Sequence, residues 1–147
     1  MSIVLAEYED LNAIASLMQG VFEEKMQVKY SQEGRESFQE LICLSALQKR
    51  FLGENLFYIK IENGFVTGVL ELEKPSHIAF LFVKDTQKGV GKELCESALR
   101  ECDEAICTVG AFEDSIGFYK KLGFVALDKE GISHGMPFTL MAKSLIA

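Results

Sequence analysis

The most restrictive feature of the sequence is a change of hydrophobic period between Leu56 and Cys102. Leu56 to Ile61 and Phe65 to Glu73 flank Asn63-Gly64, a pair that supplies the positive φ angles of a tight turn, so two antiparallel strands are predicted. Lys74-Pro75-Ser76 makes another turn, and Ile78 to Val83 then runs apolar without alternation, as a central strand buried on both faces does. From Gly89 the period becomes helical, with Leu94, Cys95, Ala98, Leu99 and Cys102 on one face. Ala105 to Val109 reads as the next strand. Strand, helix, strand is a right-handed crossover that sets two strands parallel, so a three-strand meander feeds directly into a parallel pair.

The flanking segments complete a mixed sheet. Ile3 to Ala6 is a short first strand, and a helix from about Asp10 carries Leu11, Ile14, Ala15, Met18 and Phe22 at helical spacing. Gly20 and the charged stretch after Phe22 are expected to loosen its end. Ser31 precedes a second helix that places Phe38, Leu41, Ile42, Ser45 and Leu47 on one stripe, runs to about Phe51 and stops at Gly53. A helix from about Glu113 to Leu122 is closed by Gly123, and Phe124 to Leu127 and Phe138 to Ala142 are the last strands. The expectation is a single α/β (mixed α+β) domain over residues 1–147, with a mostly antiparallel sheet of about seven strands and about four helices.

Composition narrows the function. Hydrophobic residues at 48% and charged residues at 25% exclude a disordered chain. Fifteen basic against twenty-two acidic residues give a net charge of −7, which repels phosphate backbones and anionic lipid and slightly favours an amine substrate. No nucleic-acid or membrane partner is expected. Glu7, Glu9 and Asp10 interrupt any signal peptide, so a cytoplasmic protein is expected. Cys43, Cys95, Cys102 and Cys107 form no CxxC pair and read as reduced core thiols. His77 and His134 lie far apart in sequence, and no metal site is expected.

The loop Thr86-Gln87-Lys88-Gly89-Val90-Gly91-Lys92 joins the central strand to a helix N-terminus. Glycines allow close backbone approach, and the first helical amides carry partial positive charge, so a pyrophosphate is the natural guest. Lys88 and Lys92 add charge there. The plainer reading is a tight turn with solvated lysines. Spacing excludes a P-loop, because Thr86 and Glu93 occupy positions that need Gly and Ser or Thr, and it excludes a dinucleotide fingerprint, because Leu94 stands where a small residue is required.

Taken with Phe118-Tyr119-Lys120-Lys121-Leu122-Gly123-Phe124, about thirty residues after the loop, the sequence resembles the GNAT family of N-acetyltransferases over most of its length. Tyr30-Ser31-Gln32-Glu33-Gly34 is similar to the start of the second helix in a bacterial subgroup whose substrates are mostly unassigned. The resemblance implies that acetyl-CoA is the cosubstrate, with its pyrophosphate on the amides of Gln87, Lys88, Gly89, Val90 and Gly91 and with Lys92 beside it. It implies that the pantetheine arm runs along Leu81, Phe82 and Val83, and that a backbone N–H near Phe82 stabilises the oxyanion. Tyr119 matches the tyrosine that sits near the CoA sulfur and can protonate the departing thiolate. Three departures from the family pattern are Thr86 in place of Gln or Arg, a shorter approach from Val83, and Gly110 where many members have Asn.

An amine of pKa near ~10 arrives protonated and needs a base. Glu71, Glu73 and His77 are the possibilities, each also readable as an ordinary strand or turn residue; His134, in the Gly131 to Gly135 loop before the last strand, could touch substrate and otherwise reads as a solvated loop residue. Cys107 lies in an apolar strand without a histidine in any local motif and reads as packing. The expected function is transfer of an acetyl group from acetyl-CoA to a primary amine by direct attack in a ternary complex, with Tyr119 and His77 as the catalytic pair. The acceptor is a small-molecule or protein amine, and exposed apolar residues on the last strands could support a homodimer. The alternative is a catalytically inactive acyl-CoA-binding sensor or interaction domain.

Overall fold

Asn63 and Gly64 take positive φ angles of 52° and 83° and join β2 (Leu56–Glu62) to β3 (Phe65–Glu73) in a tight hairpin. The computed structural model describes residues 3–86, 88–133 and 135–146. With β1 (Ile3–Leu5), β4 (His77–Val83), β5 (Ile106–Phe112), β6 (Val125–Ser133) and β7 (Met136–Ser144), these strands form one seven-stranded sheet in the order β1-β2-β3-β4-β5-β7-β6. Every neighbouring pair is antiparallel except β4 and β5.

Helices cover both faces. On one side α1 (Leu11–Val21), α2 (Gln32–Ile42) and α3 (Leu44–Leu52) bury Ile14, Met18, Phe38, Ile42 and Leu47 against Val69 and Phe82. On the other, α4 (Val90–Arg100) and α5 (Ile116–Lys121) bury Leu94, Cys95 and Tyr119 against Leu70, Ile78, Cys107 and Val109. No helix among the described residues is long and apolar enough to cross a membrane.

Several elements differ in extent from the sequence reading. The second predicted helix is two, because Cys43 is extended (φ −74°, ψ 159°) and the break lets both Ile42 and Leu47 reach the core. The first does not loosen at Gly20. It continues as one π-helical turn, Phe22–Met26, and a 3₁₀ turn, Gln27–Lys29, which buries Phe22 and delivers the chain to Tyr30. The last hairpin is longer than predicted. Its outer strand β6 is mostly exposed and carries Asp128-Lys129-Glu130, so it has no apolar alternation to read.

The feature that shapes the site lies in β4. Glu71 pairs with Phe80 and Leu72 with Ile78, so Ala79 is an extra residue, a β-bulge. Side-chain parity inverts across it: Ile78 faces α4, whereas Phe80 and Phe82 face α1 and α2. The bulge coincides with the end of pairing to β5, which is confined to His77↔Thr108 and Ile78↔Val109. Both strands continue beyond that point without pairing, leaving a wedge in the sheet. Its closed end is stitched by Thr108 N–H donating to Ser76 O (3.0 Å), by Ser76 Oγ donating to Ile106 O, and by a 2.7 Å bond between His77 Nδ1 and Thr108 Oγ1.

Candidate active site

The wedge opens on a cavity of about 780 Å³. One wall is Ala79 to Phe82 of β4 and Val109 to Phe112 of β5, with Tyr119 of α5 behind them. Tyr30 and Phe38 form the opposite wall, and Met136 and Phe138 of β7 approach from the side. The turn between β6 and β7 reaches across, so that a Cβ built on Gly135 would lie 3.6 Å from Ser31 Oγ at the start of α2. An ion pair between Lys29 and Asp114 ties the segment before Tyr30 to the far rim.

Beyond the wedge, β4 leads to the N-terminus of α4. Gly89 has φ +74°, a left-handed conformation that glycine adopts without strain, and it caps α4 with no side-chain hydrogen bond. Ser31, by contrast, caps α2 by accepting from Gly34 N–H at 3.0 Å. A Cβ on Gly89 would meet nothing within 4 Å, so the backbone there faces open space. Gly68 explains how α4 sits so close to the sheet, since a Cβ there would come within 2.7 Å of Val90 Cγ1 and 3.0 Å of Leu94 Cδ1. Lys88 and Lys92 are exposed. An adjoining cleft of about 610 Å³ is lined by Lys25, Lys84 and Lys88 together with Glu24, Glu62 and Asp85, so any preference for phosphate comes from the α4 N-terminus rather than from the cleft's charge. A helix N-terminus without a side-chain cap, its dipole and the exposed Lys88 and Lys92 together suit a phosphate-bearing ligand.

Within the cavity Tyr119 is buried, edge-on to Phe118 (5.0 Å) and Phe124 (5.4 Å). Burial, with Cys95 and Cys107 beside it, pushes its hydroxyl far above the ordinary tyrosine range, so it keeps its proton. Burial also raises Cys95 and Cys107 to about 12, which makes them inert packing thiols. His77 is half-buried, and desolvation lowers its pKa against the opposing pull of Glu73. It is therefore neutral at pH 7 and able to accept a proton.

The family described as an acetyltransferase (GNAT) domain matches residues 26–145. The chain belongs to the GNAT family of acetyltransferases. No curated protein sequence matches it. Among solved structures, the GCN5-related N-acetyltransferase of Rhodopseudomonas palustris is similar at TM-score 0.83 and 24% identity, over 97% of this chain and 94% of that one. The PaiA N-acetyltransferase of Thermoplasma acidophilum, in complex with coenzyme A, is similar at 0.81 and 22%, over 98% and 99% of the two chains. The aminoglycoside 6′-N-acetyltransferase of Enterococcus faecium is similar at 0.72 and 13%, over 100% and 98%.

In this GNAT enzyme the residues singled out in the sequence fall in two neighbouring places. Leu81, Phe82, His77 and Tyr119 line the cavity, while Lys88, Gly89, Val90, Gly91 and Lys92 form the approach to α4 and its first turn. Val83 lies between them, near Gly91. Gln87 and His134 lie outside the described residues. Glu71 is not the half-solvated residue that its alternation with Leu70 and Leu72 predicts. It is fully buried, accepts from Arg50 Nε (2.6 Å), Arg50 Nη2 (3.1 Å) and Asn55 Nδ2 (2.8 Å), and so is occupied structurally, while Arg50 also lies over the Phe80 ring at 5.2 Å. Gly110 has a local cause in this GNAT chain. The Phe138 ring packs over it and over Gly131, where added Cβ atoms would come within 3.1 Å and 2.7 Å. The sequence did not single out Tyr30 as a cavity residue, yet its hydroxyl is buried with no hydrogen-bond partner. An aromatic residue just before a helix cap is the only trace of it in the sequence.

Proposed function

We propose that this GNAT acetyltransferase moves an acetyl group from acetyl-CoA to a primary amine by direct attack within a ternary complex. The observation that carries the reading is the wedge between β4 and β5, which runs from the uncapped α4 N-terminus to a cavity lined by both His77 and Tyr119. The structurally similar PaiA enzyme is described in complex with coenzyme A, which supports coenzyme A as a ligand of this chain.

The amides of Val90, Gly91 and Lys92 bind the pyrophosphate, and the unpaired edge of β4 from Leu81 to Val83 hydrogen-bonds the pantetheine amides as an added strand would. Thr108 holds His77 by Nδ1, and the other ring nitrogen takes a proton from the amine as nitrogen attacks the thioester carbonyl. A backbone N–H near Phe82 steadies the developing oxyanion. As the C–N bond forms and the C–S bond breaks, Tyr119 gives its proton to the departing thiolate, which suits a hydroxyl that burial keeps protonated. The acceptor is a small-molecule or protein amine. Four unpaired thiols fit a reducing compartment, the cytoplasm.

Calorimetric titration with acetyl-CoA and with CoA, followed by a thiol-release screen over pooled amines, tests the proposal. Binding with release for one amine class is the expected result. Binding without release from any pool would replace the enzyme with a sensor, and no binding would overturn the assignment of the α4 loop.

A further inference from the structure

We infer that Arg50 sets acceptor specificity, and that the acceptor is a small amine of the amino-acid class whose carboxylate docks on the outer edge of the Arg50 guanidinium. This rests on the acetyl-transfer reading above, which brings the amine to His77. Arg50 belongs to α3 and lines the cavity. Its inner edge is taken up by the fully buried Glu71, with Nε 2.6 Å from Oε2 and Nη2 3.1 Å from Oε1, and Asn55 Nδ2 donates to the same carboxylate at 2.8 Å. The guanidinium carbon lies 5.2 Å from the centroid of the Phe80 ring, itself on the cavity wall. The planar group is therefore fixed in direction. Among the described residues Nη1 has no hydrogen-bond partner, and the one buried side-chain polar atom without a partner is the Tyr30 hydroxyl, so Nη1 is open to solvent. A guanidinium held along Nε and Nη2 keeps a second fork, Nη1 with Nη2, that can take another carboxylate through two parallel bonds. An apolar pair in place of Arg50 and Glu71 would hold α3 to β3 about as well. What the ion pair adds is a donor edge of fixed direction at the cavity wall.

The other charged groups of the wall suit the amine end of such a molecule. Lys29 is paired with Asp114, which leaves Glu73 and Glu130 against Lys129. That surplus of carboxylate attracts an ammonium group, and Glu73 is the register partner of His77 across β3 and β4, so the attraction acts beside the imidazole. The wall is thus acidic where the amine must give up its proton and offers a free donor fork where Arg50 stands. One small zwitterion satisfies both. A polyamine would set a cation against the fork, and an amine with no acidic group would cover those donors without replacing their water, which weakens binding.

The test uses matched pairs of primary amines that differ only as free carboxylate and carboxamide, drawn from α-, β- and γ-amino acids and dipeptides, with spermidine as the polycation. All are compared at equal concentration of free base, so that differences in amine pKa drop out. Calorimetric binding and kcat/KM are read on the wild type and on the double variant Arg50→Met with Glu71→Leu, which replaces the whole ion pair. The wild type should favour the carboxylate member of at least one pair by about 10-fold or more. The double variant should bring that ratio to near unity, mainly through the KM of the acid, with CoA affinity close to wild type. Carboxamides equal or favoured in every pair, a preference for spermidine, or a ratio that survives in the folded double variant would each overturn the inference. The wild-type ratios need no variant and decide the matter even if the double variant does not fold. If acetyl-CoA does not bind, the acetyl-transfer reading fails separately, and calorimetric binding of the same pairs to the wild type still shows whether the fork takes a carboxylate.

Discussion

Tyr119 and His77 reach one cavity from different elements, and burial favours the uncharged form of each, a protonated hydroxyl and a neutral imidazole, which are the states the proposed donor and acceptor roles require. Tyr119→Phe removes a proton without changing shape, so turnover should fall 10-fold or more, about 1.4 kcal/mol of transition-state stabilisation, while calorimetry reads a CoA affinity close to wild type. For His77 the direction of the shift gives a stability prediction. Its folded pKa lies below the ordinary value of 6.5, so as pH falls the unfolded chain takes the proton first. The stability it contributes is complete above about pH 6.5 and is lost as pH falls from there through the folded value. Thermal melts at about pH 7.5 and pH 5.5 should show a drop in the wild type that is smaller in His77→Gln. At this scale the sequence was legible where a residue stood in a spaced motif, as Tyr119 does. Glu71 was not legible, because alternation with leucines looks the same whether α3 covers it or water does. Tyr30 was hidden for a related reason: its environment comes from Phe112, far along the chain, as much as from its neighbours.

Among the elements, α3 does more than cover the sheet. It delivers Arg50 to a carboxylate on β3 that is wholly out of solvent. Arg50→Met would leave the buried Glu71 side chain with only Asn55 as a partner, and should destabilise the fold by about 3–5 kcal/mol, read as a lower denaturation midpoint. Replacing both partners with apolar residues of similar volume should recover most of that loss. The elements whose order comes from local chemistry were legible: the Asn63-Gly64 hairpin, the crossover through α4 and the Gly123 stop, where φ is +99°. The break at Cys43 and the bulge at Ala79 were not. Both occur inside continuous apolar patterns: the break exists because Ile42 and Leu47 must both reach one core, and the bulge because Ile78 and Phe80 must face different ones. The length of β6 was hidden because an exposed edge strand needs no hydrophobic period.

For the molecule as a whole, the family and the order of elements along the chain could be read before any coordinates, while the place of β7 between β5 and β6 and the shape of the acceptor side could not, since the latter is assembled from the segment before α2, the start of α5 and the last hairpin. A ligand that binds the folded state alone should raise stability by about 2.7 kcal/mol at a hundred times its dissociation constant, and a thermal melt with and without CoA checks this. The sheet itself is divided. Four strands lie on one side of the β4–β5 boundary and three on the other, and the strands are joined there at only two residue pairs and the bonds around Ser76 and Thr108. In mechanical terms that boundary is a crack already opened, with Ser76 to Ile78 as the rivet at its tip. A cosubstrate bonded along the free edge of β4 would be a splint as well as a reagent. Each turnover, by releasing it, would hand the two halves of the sheet back to that single rivet.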